Sequence, residues 1–385
     1  MTAYPSWTPA PRPGIIPLQP LTFGTILGRS FSALRHNPKV LLGFAMVVQT
    51  VAYLVVTIAI SGIAFASFSR LDTVPAGTDE WDAVLTGSIT LTALSGLVLG
   101  LLAGAVGVLV QAVVISDVLH AAVAEKMTLR MLWQRVRPVA WRLIGYTILL
   151  SLAIGVIVII VGGLIAVLAV AVPAAAVILG ILVILAAIPL SLWLAVKLLL
   201  VPAVLIVEHT SLGAALGRSW RLSRGRFWVI LGILVLVSLV FGAVAQVVSI
   251  PFSFLASALT TVIAPTGDES AAAIIGIVAT LGLTQIVTLL IQSVAVIVQS
   301  TAAGLVYIDC RMRHEGLDLD LLEYVDRRDA GDTDLPDPYV VHVGRAAQPR
   351  WPTAYGQPAP FAPPPGYTIV PPPAAEQTSA SPAAV

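Results

Sequence analysis

Charge is what this sequence has least of: Asp, Glu, Lys and Arg make up 11% of its 385 residues, where a soluble domain carries about 25%. From Leu143 to Val196 there is none at all. Such a stretch excludes a water-soluble fold, because about 20 apolar residues already cross a bilayer core as helix. Cysteine is nearly absent. Cys310 stands alone, which excludes an intramolecular disulfide framework and a cysteine-rich metal site, and it reads as an incidental small residue at a helix end. Lysine is scarce too: of 21 basic residues only Lys39, Lys126 and Lys197 are Lys, a usage that, with so much Ala, Gly and Val, points to a GC-rich bacterial genome. The net charge of +1 provides no basis for nucleic-acid binding.

What is present is 58% hydrophobic, with mean hydropathy +0.95. Six spans are expected, over roughly 40–68, 86–116, 143–171, 174–206, 228–250 and 272–308. Pro173 divides the longest apolar stretch into two helices joined by almost no loop. No cleavable signal peptide stands in the usual place, since the first apolar run is too long for one. Basic residues gather beside alternate span ends: Arg29, Arg35 and Lys39; Lys126, Arg130, Arg135, Arg137 and Arg142; Arg218, Arg221, Arg224 and Arg226; Arg311 and Arg313. The opposite loops hold mainly Asp and Glu, among them Asp79, Glu80, Asp82, Asp268 and Glu269. The positive-inside bias therefore predicts a multi-pass protein of a bacterial plasma membrane with both termini cytoplasmic.

The chain repeats itself. With Phe31, Trp133 and Trp220 aligned, Arg35, Arg137 and Arg224 follow at one offset, and Gly43, Gly145 and Gly232 at another. "EKMTL" (125–129), "EHTSL" (208–212) and "EGLDL" (315–319) share Glu-x-x-(Thr/Ser/Asp)-Leu, in which Thr128, Ser211 and Asp318 suit helix N-caps, with Thr22 as the first copy's equivalent. The expected fold is all-α and polytopic: six transmembrane helices as three repeats (about 20–125, 126–208 and 209–323), each an amphipathic interfacial helix followed by a helix pair. Residues 1–19 and 324–385 are expected to be disordered, the latter acidic and then rich in Pro and Ala.

In each interfacial helix the aromatic anchors at the headgroups and the arginines face anionic lipid. Arg29, Phe31, Arg35, Trp133, Arg137, Arg218, Trp220, Arg221 and Arg224 are the residues expected there. Lys197 is the one charge well inside an apolar run; snorkelling to the headgroups and a place on an intramembrane path both fit it. Gln285, Gln292 and Gln299 recur every seven residues in the sixth span, with Thr288 near the same stripe. That stripe is expected to face the bundle, as interhelix hydrogen bonding or as a polar path.

The repeats and the exit "VYIDCRMRHEGLDLDLL" (306–322) resemble the bacterial, actinobacterial-type glycerophosphoryl diester phosphodiesterase membrane domain family. Tyr307, Asp309, Arg311, Arg313, Glu315, Gly316, Leu317 and Asp318 match its exit stretch. The resemblance implies the membrane module without the catalytic barrel: the barrel's early His-Arg pair appears only in reverse order, at 35–36 and 313–314, and no soluble region is long enough to form one. No catalytic, cofactor or metal site is expected, for the five histidines lack ligand spacing and no phosphate loop or nucleophile elbow occurs. The expected function is a noncatalytic module organising or assisting anionic membrane lipids and membrane or envelope proteins. The alternative is a transporter or permease component for a small or amphipathic solute.

Overall fold

The computed structural model describes residues 17–36, 39–263, 271–332 and 334–345. Side chains at 33–36, 40–42 and at many positions between 253 and 281 lie outside that description. All regular structure among the described residues is helical. The elements are α1 (Phe23–His36), a π-helical entry Lys39–Ala45, α2 (Met46–Phe68), α3 (Asp79–Ala122), α4 (Leu129–Val136), α5 (Ala140–Ala171), α6 (Pro173–Leu198), α7 (Val201–Glu208), α8 (Leu212–Leu222), α9 (Phe227–Ile263), α10 (Ala271–Glu315) and α11 (Leu317–Asp329). Six helical segments are long and apolar enough to cross a membrane: Gly43–Thr73, Asp79–Ala122, Leu129–Ala171, Pro173–Glu208, Phe227–Phe252 and Gly282–Glu315. The chain is an all-α, multi-pass membrane protein.

Local chemistry sets the boundaries. Thr78 is extended and its hydroxyl accepts from Trp81 N–H at 3.2 Å, with Asp79, Glu80 and Asp82 in the first turn of α3, where carboxylates favour the helix N-terminus. Thr22 Oγ1 accepts from Thr25 N–H at 3.2 Å and caps α1. Thr128 and Ser211 stand at the N-cap positions of α4 and α8 without a side-chain cap bond. Asp318 does not cap α11: Gly316, at φ 70°, makes the turn from α10 and leaves Asp318 inside the first helical turn. Only a glycine takes that left-handed conformation cheaply. Val172 alone joins α5 to α6, with Pro173 as the first residue of α6, where its missing N–H costs nothing.

α3 and α10 are the central pair. α10 packs on α1, α2, α3 and α9, while α3 also packs on α2, α4, α5 and α7. The two approach closely, for a Cβ at Gly304 of α10 would meet Val118 Cγ1 of α3 at 3.3 Å; α3 and α5 approach in the same way, a Cβ at Gly104 meeting Thr147 Cγ2 at 3.1 Å. Small residues at such crossings let backbones approach inside a membrane.

Burial is concentrated at one end, called here the polar end. Ala112–Ala122 of α3, Val201–Val207 of α7 and Thr301–Met312 of α10 are buried on every side. Around them lie α1, α4 and α8. Each presents a fully buried residue, Ser30, Leu132 or Ser219, followed directly by an exposed aromatic, Phe31, Trp133 or Trp220.

Candidate functional site

An apolar core that admits a charge must also supply its partner, since an unpaired buried ion is far costlier than a paired one. The polar end does this first with side chains from three helices, α7, α8 and α10. Arg311 of α10 is fully buried; its Nε donates to Glu315 Oε2 at 2.7 Å and its Nη1 to the Tyr339 carbonyl at 2.6 Å and the Tyr307 hydroxyl at 3.2 Å. Tyr307 donates in turn to Glu208 Oε1 at 3.1 Å. Arg218 of α8 closes the ring, with Nε 3.0 Å from both Glu208 oxygens and Nη2 against Glu315 Oε1. Burial pulls the Arg218 pKa down, but the Glu208 and Glu315 carboxylates outweigh it and raise it above the ordinary arginine value.

A second knot adjoins the first. Asp309 is buried and meets Arg226 at 2.7 Å and Arg313 at 2.9 Å, and its Oδ1 accepts from Leu21 N–H at 2.8 Å. Arg313 and Arg226 also donate to the Leu21 carbonyl, at 2.9 and 3.2 Å. The exit residues Tyr307, Asp309, Arg311, Arg313 and Glu315 are thus brought together, and they tie the start of α1, α7, α8 and α10 into one layer. Glu125 stands just after α3, where it accepts from Tyr324 Oη at 2.7 Å. Burial and that carboxylate push the Tyr324 pKa up to about 12.

The residues after α11 are part of this layer. The expected solvated tail does not begin at 324: α11 runs to Asp329, and 334–345 folds back as a strap. Tyr339 is buried, and its hydroxyl donates to the Leu119 carbonyl at 2.6 Å; burial raises its pKa well above the usual value. Asp337 takes Arg135 Nη1 at 2.5 Å, while His342 and Arg345 meet Asp320 at 3.2 and 3.1 Å. Beneath the strap is a cavity of about 260 Å³, with Ser116, Leu119 and His120 at its floor and Arg135, His209 and Asp337 at its rim. Residues 1–16 and 346–385 lie outside the described residues.

Other expected residues are placed as follows. Arg29, Arg137, Arg221 and Arg224 are exposed, as are Phe31, Trp133 and Trp220; the side chain of Arg35 lies outside the described residues. Arg218 corrects its expectation: it turns inward because Glu208 and Glu315 need a cation. Lys197 is buried rather than snorkelling freely. Its Nζ is 3.2 Å from Ser223 Oγ and 5.2 Å from the Trp220 ring centroid, while Ser219 Oγ donates to its carbonyl at 2.6 Å. It therefore seats α8 on α6, through hydrogen bonding and a cation–π contact.

The glutamine stripe does not point into the bundle. Gln292 is exposed, Gln285 and Gln299 are half-buried, and Thr288 donates back to the Thr284 carbonyl at 2.9 Å. The buried polar face lies one residue further on, at Ser293 and Ser300; Thr50 Oγ1 is 2.8 Å from Ser293 Oγ. Nearby Gln49 of α2 is fully buried, with neither amide atom hydrogen-bonded, beside Gly107 of α3.

Fold and site together define a polytopic helical membrane protein whose one end is locked by buried ion pairs. The chain belongs to the family described as Domain of unknown function (DUF7847), which matches residues 21–307. No curated protein and no solved structure matches it.

Proposed function

We propose that the protein is a noncatalytic module of the bacterial plasma membrane, built of three repeats, with its polar end and both termini in the cytoplasm. It organises anionic lipid and assists membrane or envelope partner proteins. The observation that carries this reading is the common design of α1, α4 and α8. Each has a buried residue followed by an exposed aromatic, and α1 and α8 carry exposed Arg29, Arg221 and Arg224 nearby. An exposed aromatic beside arginine suits the headgroup layer of an anionic leaflet. The likeness to the glycerophosphoryl diester phosphodiesterase membrane domain family supports the same reading, as a module without its enzyme. The ion pairs of the polar end engage Arg218, Arg226, Arg311 and Arg313 internally, which leaves the surface arginines as the lipid-facing charge.

The test is extraction of the protein with its surrounding lipid in polymer-bounded discs, followed by mass spectrometry of lipids and copurifying proteins. Anionic lipid should be enriched over the bulk membrane, and the combined variant Arg29→Gln, Arg221→Gln, Arg224→Gln should lose that enrichment. Equal lipid composition with and without the three arginines would overturn the reading.

One observation favours a second reading, a transporter or permease component for a small or amphipathic solute. Gln49, Thr50 and Ser293 put polar groups within the apolar bundle of α2, α3 and α10, and intramembrane polar groups often line a path. A stoichiometric ATPase among the copurifying proteins would favour it, and an envelope enzyme would favour the first.

A further inference from the structure

The cavity under the strap has the chemistry of an anion site. Arg135 stands at the rim with its side chain 43% exposed and gives one N–H to Asp337. A guanidinium carries five donors arranged to meet two oxygens of a carboxylate or phosphate, so most of this one remains unspent. His209 is the second rim nitrogen. It sits in a left-handed turn at φ 49°, and Arg142 Nη1 holds its carbonyl at 2.5 Å. His120 is buried at the floor, its Nδ1 2.7 Å from the Ser116 carbonyl, which turns the other ring nitrogen away from that backbone. Among the described residues, the one carboxylate lining the cavity is Asp337, which arrives from outside the bundle on the strap.

That carboxylate is informative. Asp337 is itself an oxyanion seated on Arg135, delivered by a chain segment anchored at Tyr339 and Asp320. The Arg135–Asp337 pair is partly exposed, and such pairs contribute only about 0.2–1 kcal/mol, so an external anion can compete for the same guanidinium. A volume of about 260 Å³ is below the roughly 300–1,000 Å³ of drug-sized sites and suits a phosphate group rather than a larger metabolite.

We propose that the cavity bounded by Arg135, His209 and His120 binds a phosphate group, and that Asp337 of the strap is its built-in competitor. The phosphate belongs either to a free small anion or to a lipid headgroup at the membrane surface; the recognising chemistry is the same. Ligand and Asp337 are like charges sharing one guanidinium, so each weakens the other's hold on Arg135 and occupancy is read out in the strap.

The test uses the full chain in nanodiscs of phosphatidylcholine alone, titrated calorimetrically with inorganic phosphate against chloride at matched ionic strength. Asp337→Asn removes the competing charge and keeps the Oδ1 that accepts from Tyr339 N–H at 3.0 Å. It should tighten phosphate binding about fivefold, the worth of an exposed ion pair of about 1 kcal/mol. Arg135→Gln should abolish binding and lower the thermal midpoint by no more than the loss of that one exposed ion pair. Discs containing phosphatidylglycerol identify the source: lost binding of free phosphate marks a headgroup, and retained binding marks a soluble anion. The proposal falls if Asp337→Asn binds phosphate no more tightly than the native chain, and equally if Arg135→Gln still binds it. Because the first variant is a gain of binding, a misfolded second variant leaves the test decisive.

Discussion

The two ends of the molecule are built on opposite rules. At the polar end α3, α7 and α10 each contain a stretch buried on every side. In the α5–α6 hairpin, Val156–Ile160 are exposed five in a row, Ile159 to 73%, and Val177, Ile178, Ile181, Leu182, Ile184 and Leu185 of α6 are exposed as well. In water the hairpin would be untenable. In a bilayer, lipid tails are as apolar as the side chains and little drives helices together. The polar end therefore carries the specificity of the fold. The hairpin is attached near that end, through Leu143, Tyr146 and Thr147 on α5 and Trp193 and Lys197 on α6, where the Trp193 and Trp220 rings meet at 4.9 Å.

The sharpest way to break the contrast is to remove the central cation. Arg311→Met keeps much of the side-chain volume but frees Glu315 of one partner and the Tyr339 carbonyl of another. Breaking a buried ion pair from one side costs about 3–5 kcal/mol. The variant should unfold at markedly lower denaturant in detergent, and the strap should become a protease target. A midpoint equal to that of the native protein would show that the charge layer is not what holds the polar end.

Much of this contrast is readable in the residues, but unevenly. Hydropathy locates the six spans, and Pro173 marks the one-residue turn between α5 and α6. The exit residues 307–315 stand out by spelling alone. Their geometry does not, because Tyr307 meets a glutamate 99 positions earlier and no local pattern encodes that approach. Arg218 shows why periodicity misleads: a helical wheel places it opposite Leu216 and Trp220, yet α8 lies between two buried glutamates. The signal was present in the repeated Glu of 125, 208 and 315, since a carboxylate kept at one position beside apolar helices needs a cation or a phenol. The strap gave no signal. "DLPDPYV" is acidic and Pro-rich, and one tyrosine anchors it without any period to detect. In the sixth span a heptad of Gln was conspicuous and the adjacent Ser heptad was not, although it is the smaller side chain that packs inside.

A gentler break comes from alkali. Tyr324 is held protonated on Glu125, with its pKa raised from about 10 to about 12, and burial also raises that of Tyr339 well above its ordinary value. A raised pKa means the folded state favours the phenol. This stabilisation is complete below pH 10 and is lost as pH rises through 12. Hydrogen exchange in α11 and the strap should therefore accelerate across that window before the deeply buried stretches respond. Tyr324→Phe should cost about 0.5–1.5 kcal/mol at neutral pH and remove its share of the alkaline loss. A Tyr324 phenol titrating near 10 by ultraviolet absorbance would contradict the contact.

The smallest effect tests the other half of the comparison. Ile159→Ala deletes a large apolar group in the middle of α5, and in a soluble protein the same change in a core costs about 2–5 kcal/mol. Here the side chain is 73% exposed and lipid fills the space it leaves, so no cavity opens. The expected change is within about 0.5 kcal/mol, as for substitutions away from packed positions. Unfolding in detergent micelles and in bicelles measures it. A large loss in both media would mean that α5 has a protein neighbour in the membrane, such as a second copy of the chain, and that the apparent looseness of the hairpin is the absence of that neighbour. An unchanged midpoint leaves lipid as its partner and confines the determinants of the fold to the polar end.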